Sequence, residues 1–258
     1  MTELSSILQL TRNDFSYFFR TKWLMAILLS LHLSDMLVVA LVYGKLMSFN
    51  YFQFFVPAII VMGLFVAALD TGRRIWLAIR EGVIQYYLSL PISIYGIVAA
   101  YLLAGGLAAV VYSTSLLLIA LVVLPAQAVW NTLILLPFLF VLAMGLAGIA
   151  ASLAAFASTH GEYYFAYQQI VQTILLVFST VYYPIGVISN YFPPFLTNIV
   201  SANPLSLAAE AMRQYTFAGN SVQPLFLINI LLASLPFAII GAAAYLIALH
   251  TIQVKGKL

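Results

Sequence analysis

The chain has 258 residues, of which 64% are hydrophobic and only 7% charged, and it carries a formal net charge of +3. This composition excludes a soluble domain that binds nucleic acid, because no water-facing basic unit is present to carry the charge, and it makes lipid the solvent for most of the chain. With no cysteine there is no disulfide framework and no thiolate metal site, and the three histidines are too scattered to form a ligand cluster.

The apolar residues gather into six blocks, at 24–43, 52–69, 94–123, 132–157, 165–188 and 225–250. About 20 residues at 1.5 Å rise cover a hydrocarbon core of roughly 30 Å, and a helix satisfies its own backbone there. The expected fold is therefore an all-α integral membrane protein with six transmembrane helices, one domain over residues 1–258. Of the ten Lys and Arg residues, Arg12, Arg20, Lys22, Arg73, Arg74, Arg80, Lys255 and Lys257 fall on one side of these spans. Only Lys45 and Arg213 fall on the other, so the positive-inside rule predicts that both termini are cytoplasmic.

In chain order, the first element is an amphipathic helix over residues 1–23. Leu4, Ile7, Leu8, Thr11, Phe15, Phe18 and Phe19 recur at helical spacing, while Arg12, Asn13, Asp14 and Ser16 fall mostly on other faces. The pattern predicts a helix lying on the cytoplasmic interface, with docking on the protein's own loops as the alternative. The segment is too long and too mixed for a signal-peptide n-region, so the span after it reads as an uncleaved first helix. That span carries His32 and Asp35 on one face. A carboxylate at such depth needs a partner or a watery cavity, and a structural pair and a proton relay both fit.

Residues 70–93, DTGRRIWLAIREGVIQYYLSLPIS, read as a short cytoplasmic loop holding Asp70, Arg73, Arg74, Arg80 and Glu81 and ending at Pro91. A charged loop too small to fold alone fits a docking element, and equally a solvated positive-inside loop. Next, Gly105 and Ala109 in the third span, and Gly145, Gly148, Ser152 and Ala155 in the fourth, place small residues at four-residue spacing for close helix packing. The fifth span carries a polar stripe of Gln168, Gln172 and Ser179, prolonged outward by Tyr182 and Tyr183. Such a stripe avoids lipid, so it either bonds neighbouring helices or lines a pathway. Residues 189–223 are too apolar for an ordinary outer loop, and Phe192, Pro193, Pro194, Phe195, Leu196, Ile199, Val200 and Leu205 predict a re-entrant hairpin or a loop resting on the outer surface.

Two runs carry a family resemblance. REGVIQYYLSLPIS at 80–93 resembles the segment R-E-x-G-T-L-E-x-L-L-x-x-P-I-S of type-2 ATP-binding-cassette (ABC) permeases, to within one position. FSTVYYPIGVISNYFPPFLTNIVSANPLSLAAEAMR at 178–213 resembles the late signature of the same permeases, in which a Y-P span end leads through a proline-bearing hairpin to N-P-L and an arginine. The flavour is that of the small drug-resistance and nodulation-factor exporters. Two positions depart from the pattern: Val83 stands for the usual threonine and Gln85 for the second glutamate.

The resemblance implies a permease subunit in a prokaryotic plasma membrane. It implies a second permease copy, as homodimer or close heterodimer, and two cytoplasmic ATP-binding subunits that hold the ATP and magnesium. Arg80, Glu81, Gly82, Gln85, Tyr86 and Tyr87 would couple to the ATPase, helped by the amphipathic start and by the 158–163 loop with His160 and Glu162. Glu81 would meet a basic residue of the partner, or else pair locally with Arg80 or Arg73. Gln168, Gln172, Ser179 and Tyr182 would line the path of an amphipathic cargo such as a lipid, a lipid-linked glycan or a hydrophobic drug.

The residues agree that energy comes from elsewhere. No G-x-x-x-x-G-K-[ST] loop occurs, so nothing in the chain cradles ATP phosphates, and no cofactor of its own is expected. G-x-S-x-G and H-E-x-x-H are also missing, and few buried charges are present. These features weigh against the alternative of an intramembrane enzyme or an ion-coupled carrier acting alone.

Overall fold

The structure, a computed structural model, describes residues 3–38, 42, 51–120, 126–157, 161–217, 220–221 and 223–255. Among them are eleven α-helices and no strand. In chain order these are α1 (Glu3–Arg20), α2 (Lys22–Val38), α3 (Tyr51–Arg80), α4 (Val83–Ser89), α5 (Ile94–Ala120), α6 (Ala126–Phe156), α7 (Gly161–Val177), α8 (Ile185–Tyr191), α9 (Pro194–Ala202), α10 (Pro204–Ala211) and α11 (Pro224–Lys255). A π-helical turn, Met212–Phe217, follows α10.

Four helices are long and apolar enough to cross a membrane, within α3, α5, α6 and α11, and a fifth is reached if α1 and α2, bent by 67°, count as one span. The chain is thus a multi-pass membrane protein by composition and helix length. Helix α3 lies at its centre: 78% of its apolar window is buried, against 17% for α11. It packs on α5 and α6, while α11 packs almost wholly on α6. The α6–α11 contact is built on glycine. A Cβ at Gly148 would sit 2.9 Å from the backbone of Gly241, and one at Gly145 would sit 2.7 Å from the amide nitrogen of Ala238. Gly105 likewise lets α5 approach Thr71 of α3 and Ala147 of α6. Without a hydrophobic drive between helices in lipid, this close backbone contact supplies much of the attraction.

Helix α1 is amphipathic, but protein covers its buried face. That face holds Leu10, Thr11, Asp14 and Phe18, and it lies against α5 and α3. Leu4 and Leu8, expected to lie on the apolar face, are exposed, whereas Asp14, expected on another face, is buried.

Two expected boundaries are overturned. The 70–93 loop is mostly helix, because α3 runs on through Asp70 to Arg80. The charges that read as a helix end are paired within the helix, Asp70 with Arg73 at i+3 and Arg74 at i+4, which favours helix over loop. The expected continuous fifth span, 165–188, is broken. Helix α7 stops at Val177 and residues 178–184 are turns and bends, since hydrogen bonds from other segments take up the freed carbonyls there. The 189–223 hairpin resolves into α8, α9, α10 and the π-helical turn, with α10 buried against the bundle.

Helix α7 and the turns after it run alongside the first part of α3. At its start the Tyr164 hydroxyl donates to the Leu69 carbonyl (3.5 Å), and past its end Thr180 lies beside Arg213, which bonds the Phe54 carbonyl (2.8 Å). From Phe54 to Leu69 is a rise of about 22 Å along α3 at 1.5 Å per residue, most of a hydrocarbon core of roughly 30 Å. The segment 161–213 therefore runs from the middle of α3 to its beginning.

Two outcomes follow. Gly148→Leu forces a side chain into the Gly241 backbone, and we expect a loss of about 1–3 kcal/mol by the usual cost of overpacking, read as a lowered Tm in detergent. A cysteine replacing Ser221 should react with an impermeant thiol reagent from outside intact cells, and one replacing Ser89 should not. Protection at Ser221 would mean that the segment after α6 turns back without crossing.

Candidate functional site

The turn at Gly82 organises the basic end of the bundle. Gly82 has φ 74, the only positive φ among the described residues, a conformation that a side chain disfavours. Its amide donates to the Ile79 carbonyl (3.2 Å) and that of Glu81 to Leu77 (2.9 Å), closing α3 with a left-handed glycine. The chain reverses into the seven-residue α4. Gln85 supports the turn by donating its amide to the Ile79 carbonyl (3.3 Å), while its buried Oε1 has no partner among the described residues. After Pro91, Ser93 caps α5 by accepting from the Gly96 amide (3.0 Å), and the same hydroxyl meets the Glu3 carboxylate of α1.

Helix α1 is thereby fastened beside α4, and a groove lies between them. Its inner part, about 360 Å³, is bordered by Leu10, Asn13 and Tyr17 of α1, Leu77 of α3, Glu81 and Tyr87. Its outer part, about 470 Å³, shares Leu10, Asn13 and Tyr87 and adds Tyr86 and Leu90. Of the residues expected to couple, Glu81, Tyr86 and Tyr87 reach this groove. Arg80 instead lies over the Trp76 ring at 4.9 Å, and Gly82 and Gln85 shape the turn. Glu81 is exposed and makes no ion pair among the described residues, so the expected alternative of a pair with Arg73 or Arg80 is not formed. Tyr87 is half-buried, and burial first, then the Asp14 carboxylate and Tyr86, raise its phenol above the ordinary range.

The floor of the groove holds an ion cluster that the periodicity had not exposed. Arg74, with a side chain only 1% exposed, bonds Asp14 through Nη2 (2.9 Å) and Nε (3.2 Å), Asp70 through Nη1 (3.0 Å), and the Thr71 hydroxyl (3.2 Å). Asp14 comes four residues after Leu10 and four before Phe18, the spacing of one helix face, and that was the available signal.

At the other end of the bundle, polar side chains seal the break after α7. The Asn203 amide donates to the carbonyls of Leu175 (2.9 Å) and Phe178 (2.7 Å), while its Oδ1 accepts from the Leu205 amide (2.9 Å) to start α10. Arg213 donates to the carbonyls of Phe54 (2.8 Å) and Thr180 (2.8 Å) and to Glu210 (2.6 Å), with its guanidinium 3.8 Å from the centre of the Phe54 ring. The N-P-L run and its arginine thus have a local role as a clamp on open carbonyls.

The expected pathway stripe does not form one line. Gln168 and Gln172 are half-buried on α7, but Ser179 lies beyond the helix end, where its hydroxyl donates to the Leu176 carbonyl (2.6 Å) and accepts from the Val181 amide (3.2 Å). Tyr182 packs near Phe55, with ring centres 6.3 Å apart. The expected His32–Asp35 pair is also separated. His32 is buried against the Tyr112 hydroxyl (3.0 Å), whereas Asp35 is exposed. Lys45 and His160, and the side chain of Glu162, lie outside the described residues. No group of metal-ligating side chains occurs among the described residues.

No protein-family model matches the chain, and no curated protein matches it.

Replacing Asn203 with Ala leaves the Leu175 and Phe178 carbonyls and the Leu205 amide without their partner. We expect a loss of about 1–3 kcal/mol per buried group left unsatisfied, measured as a lowered Tm in detergent.

Proposed function

We propose that the chain is the membrane-spanning permease subunit of an ATP-binding-cassette exporter, driven by ATP that a separate cytoplasmic subunit hydrolyses. One observation carries the reading: a short helix, α4, turns out of the most buried helix at the basic end of the bundle, beside an open groove and an exposed Glu81 that makes no ion pair among the described residues. A helix joined to the core by a two-residue turn moves with that core. A carboxylate with no local partner can take a charge-assisted hydrogen bond from an Arg or Lys of a docked subunit.

The resemblance of residues 80–93 and 178–213 to type-2 ABC permeases adds to this, as does the missing phosphate loop. On this reading two ATP-binding subunits bind ATP and magnesium, and a second permease copy completes the assembly. The cargo is an amphipathic molecule, because the spans offer Tyr, Phe and Gln rather than charge.

The test is co-expression with candidate ATP-binding subunits of the source genome, followed by co-purification and by ATPase and transport assays in vesicles. Wild-type chain should retain one such subunit. Glu81→Lys should weaken that complex or separate hydrolysis from transport, with the variant still inserted in the membrane. Normal transport and normal complex formation in Glu81→Lys would refute the docking role, and failure of the wild type to retain any ATP-binding subunit would refute the exporter reading.

A further inference from the structure

One wall of the groove, α1, is held by contacts and not by a short turn from α3. Helix α4 is joined to α3 by the Gly82 turn, but α1 precedes the bundle and bends by 67° from α2, so its position depends on what fastens it. Among the contacts between described residues, three polar ties lie along one stripe of α1: Glu3 to Ser93, the Thr11 hydroxyl to the Ala100 carbonyl (3.3 Å), and Asp14 to Arg74 (2.9 Å). The first is exposed and therefore weak. The second shares its single hydrogen with the Ile7 carbonyl of α1, which lies nearer (2.9 Å). Only the third is a charged contact between buried groups, at 1% and 8% side-chain exposure, and it alone reaches α3.

The charges count evenly. Asp14 and Asp70 face Arg73 and Arg74, and Arg74 also lies 5.2 Å from the centre of the Phe18 ring of α1. Four of the five N–H donors of Arg74 are taken up within the protein, by Asp14, Asp70 and Thr71. Asp14 and Arg74 border the groove, but their charges are satisfied mainly by one another and by Asp70.

We infer that Asp14 and Arg74 are positioning residues which fix α1 to α3, so that protein rather than the lipid surface sets the groove, and a subunit docked there moves α1 and α3 together. The docking half of this statement rests on the exporter reading. The fastening half does not.

The test uses the cysteine-free chain, in which two introduced cysteines are the only label sites. Spin labels at Arg12→Cys on α1 and Leu118→Cys on α5 are both exposed, and Ala100 to Leu118 alone is about 27 Å along α5, within the range of pulsed dipolar spectroscopy. The labelled protein should give one narrow distance, the same in phosphatidylcholine vesicles and in vesicles with added phosphatidylglycerol. A distance that changes with anionic lipid would overturn the inference, because lipid would then hold α1.

Asp14→Leu with Arg74→Met removes the pair while leaving Asp70 and Arg73 to balance each other, so no charge is stranded. This double variant should broaden the distribution, and an unchanged narrow distance would overturn the inference. Thr11→Val, which keeps every charge, should leave the distance narrow. Broadening there would assign the hold to the whole face of α1 instead of the pair.

With an ATP-binding subunit that the wild type retains, the double variant should bind at least tenfold more weakly although Glu81 is intact. Unchanged affinity would overturn the positioning role. Absence of binding by the wild type would count against the exporter reading and leave the distance result standing.

Discussion

A guanidinium buried in a protein whose solvent is lipid must find its counter-charges inside the fold, and the position of Arg74 shows what this demands. Taking a charge out of water costs several kcal/mol even after relaxation, so the carboxylates that meet it are constrained as strictly as the arginine. Asp70 is supplied from one turn earlier on the same helix, which keeps α3 helical through a run of charged residues. Asp14 is supplied from sixty residues away, which brings α1 onto the bundle. The pair that satisfies Arg74 thereby carries α3 on to the Gly82 turn and places α1 on the bundle, so that a groove stands between α1 and α4.

The break after α7 follows the same logic with the roles exchanged. There the unsatisfied groups are carbonyls, released because α7 stops at Val177, and buried carbonyls need donors as firmly as a buried cation needs acceptors. Asn203 and Arg213 provide them, and Asn203 also starts α10. Irregular backbone is tolerable here because protein donors lie beside it.

These contacts explain which parts of the fold were legible in the sequence. Spans of uniform apolar residues were read to within a few residues, as with α5, which begins at Ile94 as expected, because hydropathy alone decides them. The end of α3 was misread since Asp70, Arg73 and Arg74 look like exposed loop charges until Asp14 is placed beside them. The break after α7 was invisible because Ser179 and Thr180 are tolerated inside membrane helices and no glycine or proline marks residues 178–182, while its partners Asn203 and Arg213 lie more than twenty residues later. At the candidate site, Glu81 and Tyr87 were found from the motif, while Asp14 was missed by assigning it to an outward face. Long-range pairing of polar groups is what one-dimensional patterning does not carry.

Arg74 and Arg213 together give α3 a distinctive setting. Arg213 holds its beginning, through the carbonyl and the ring of Phe54, and the Asp14–Arg74–Asp70 cluster holds its end. Between those points α3 is the most buried of the long helices, close-packed on α5 and α6, so it offers little room to bend. Pro57 lies within α3 close to the Phe54 grip and removes one backbone donor there, so the packing on α5 and α6 is what keeps the helix in line. One grip carries α1 and the groove beside α4, and the other carries the segment that closes the break after α7. One continuous helix thus joins the two grips, and at each of them side chains from distant segments keep a buried charge or carbonyl satisfied.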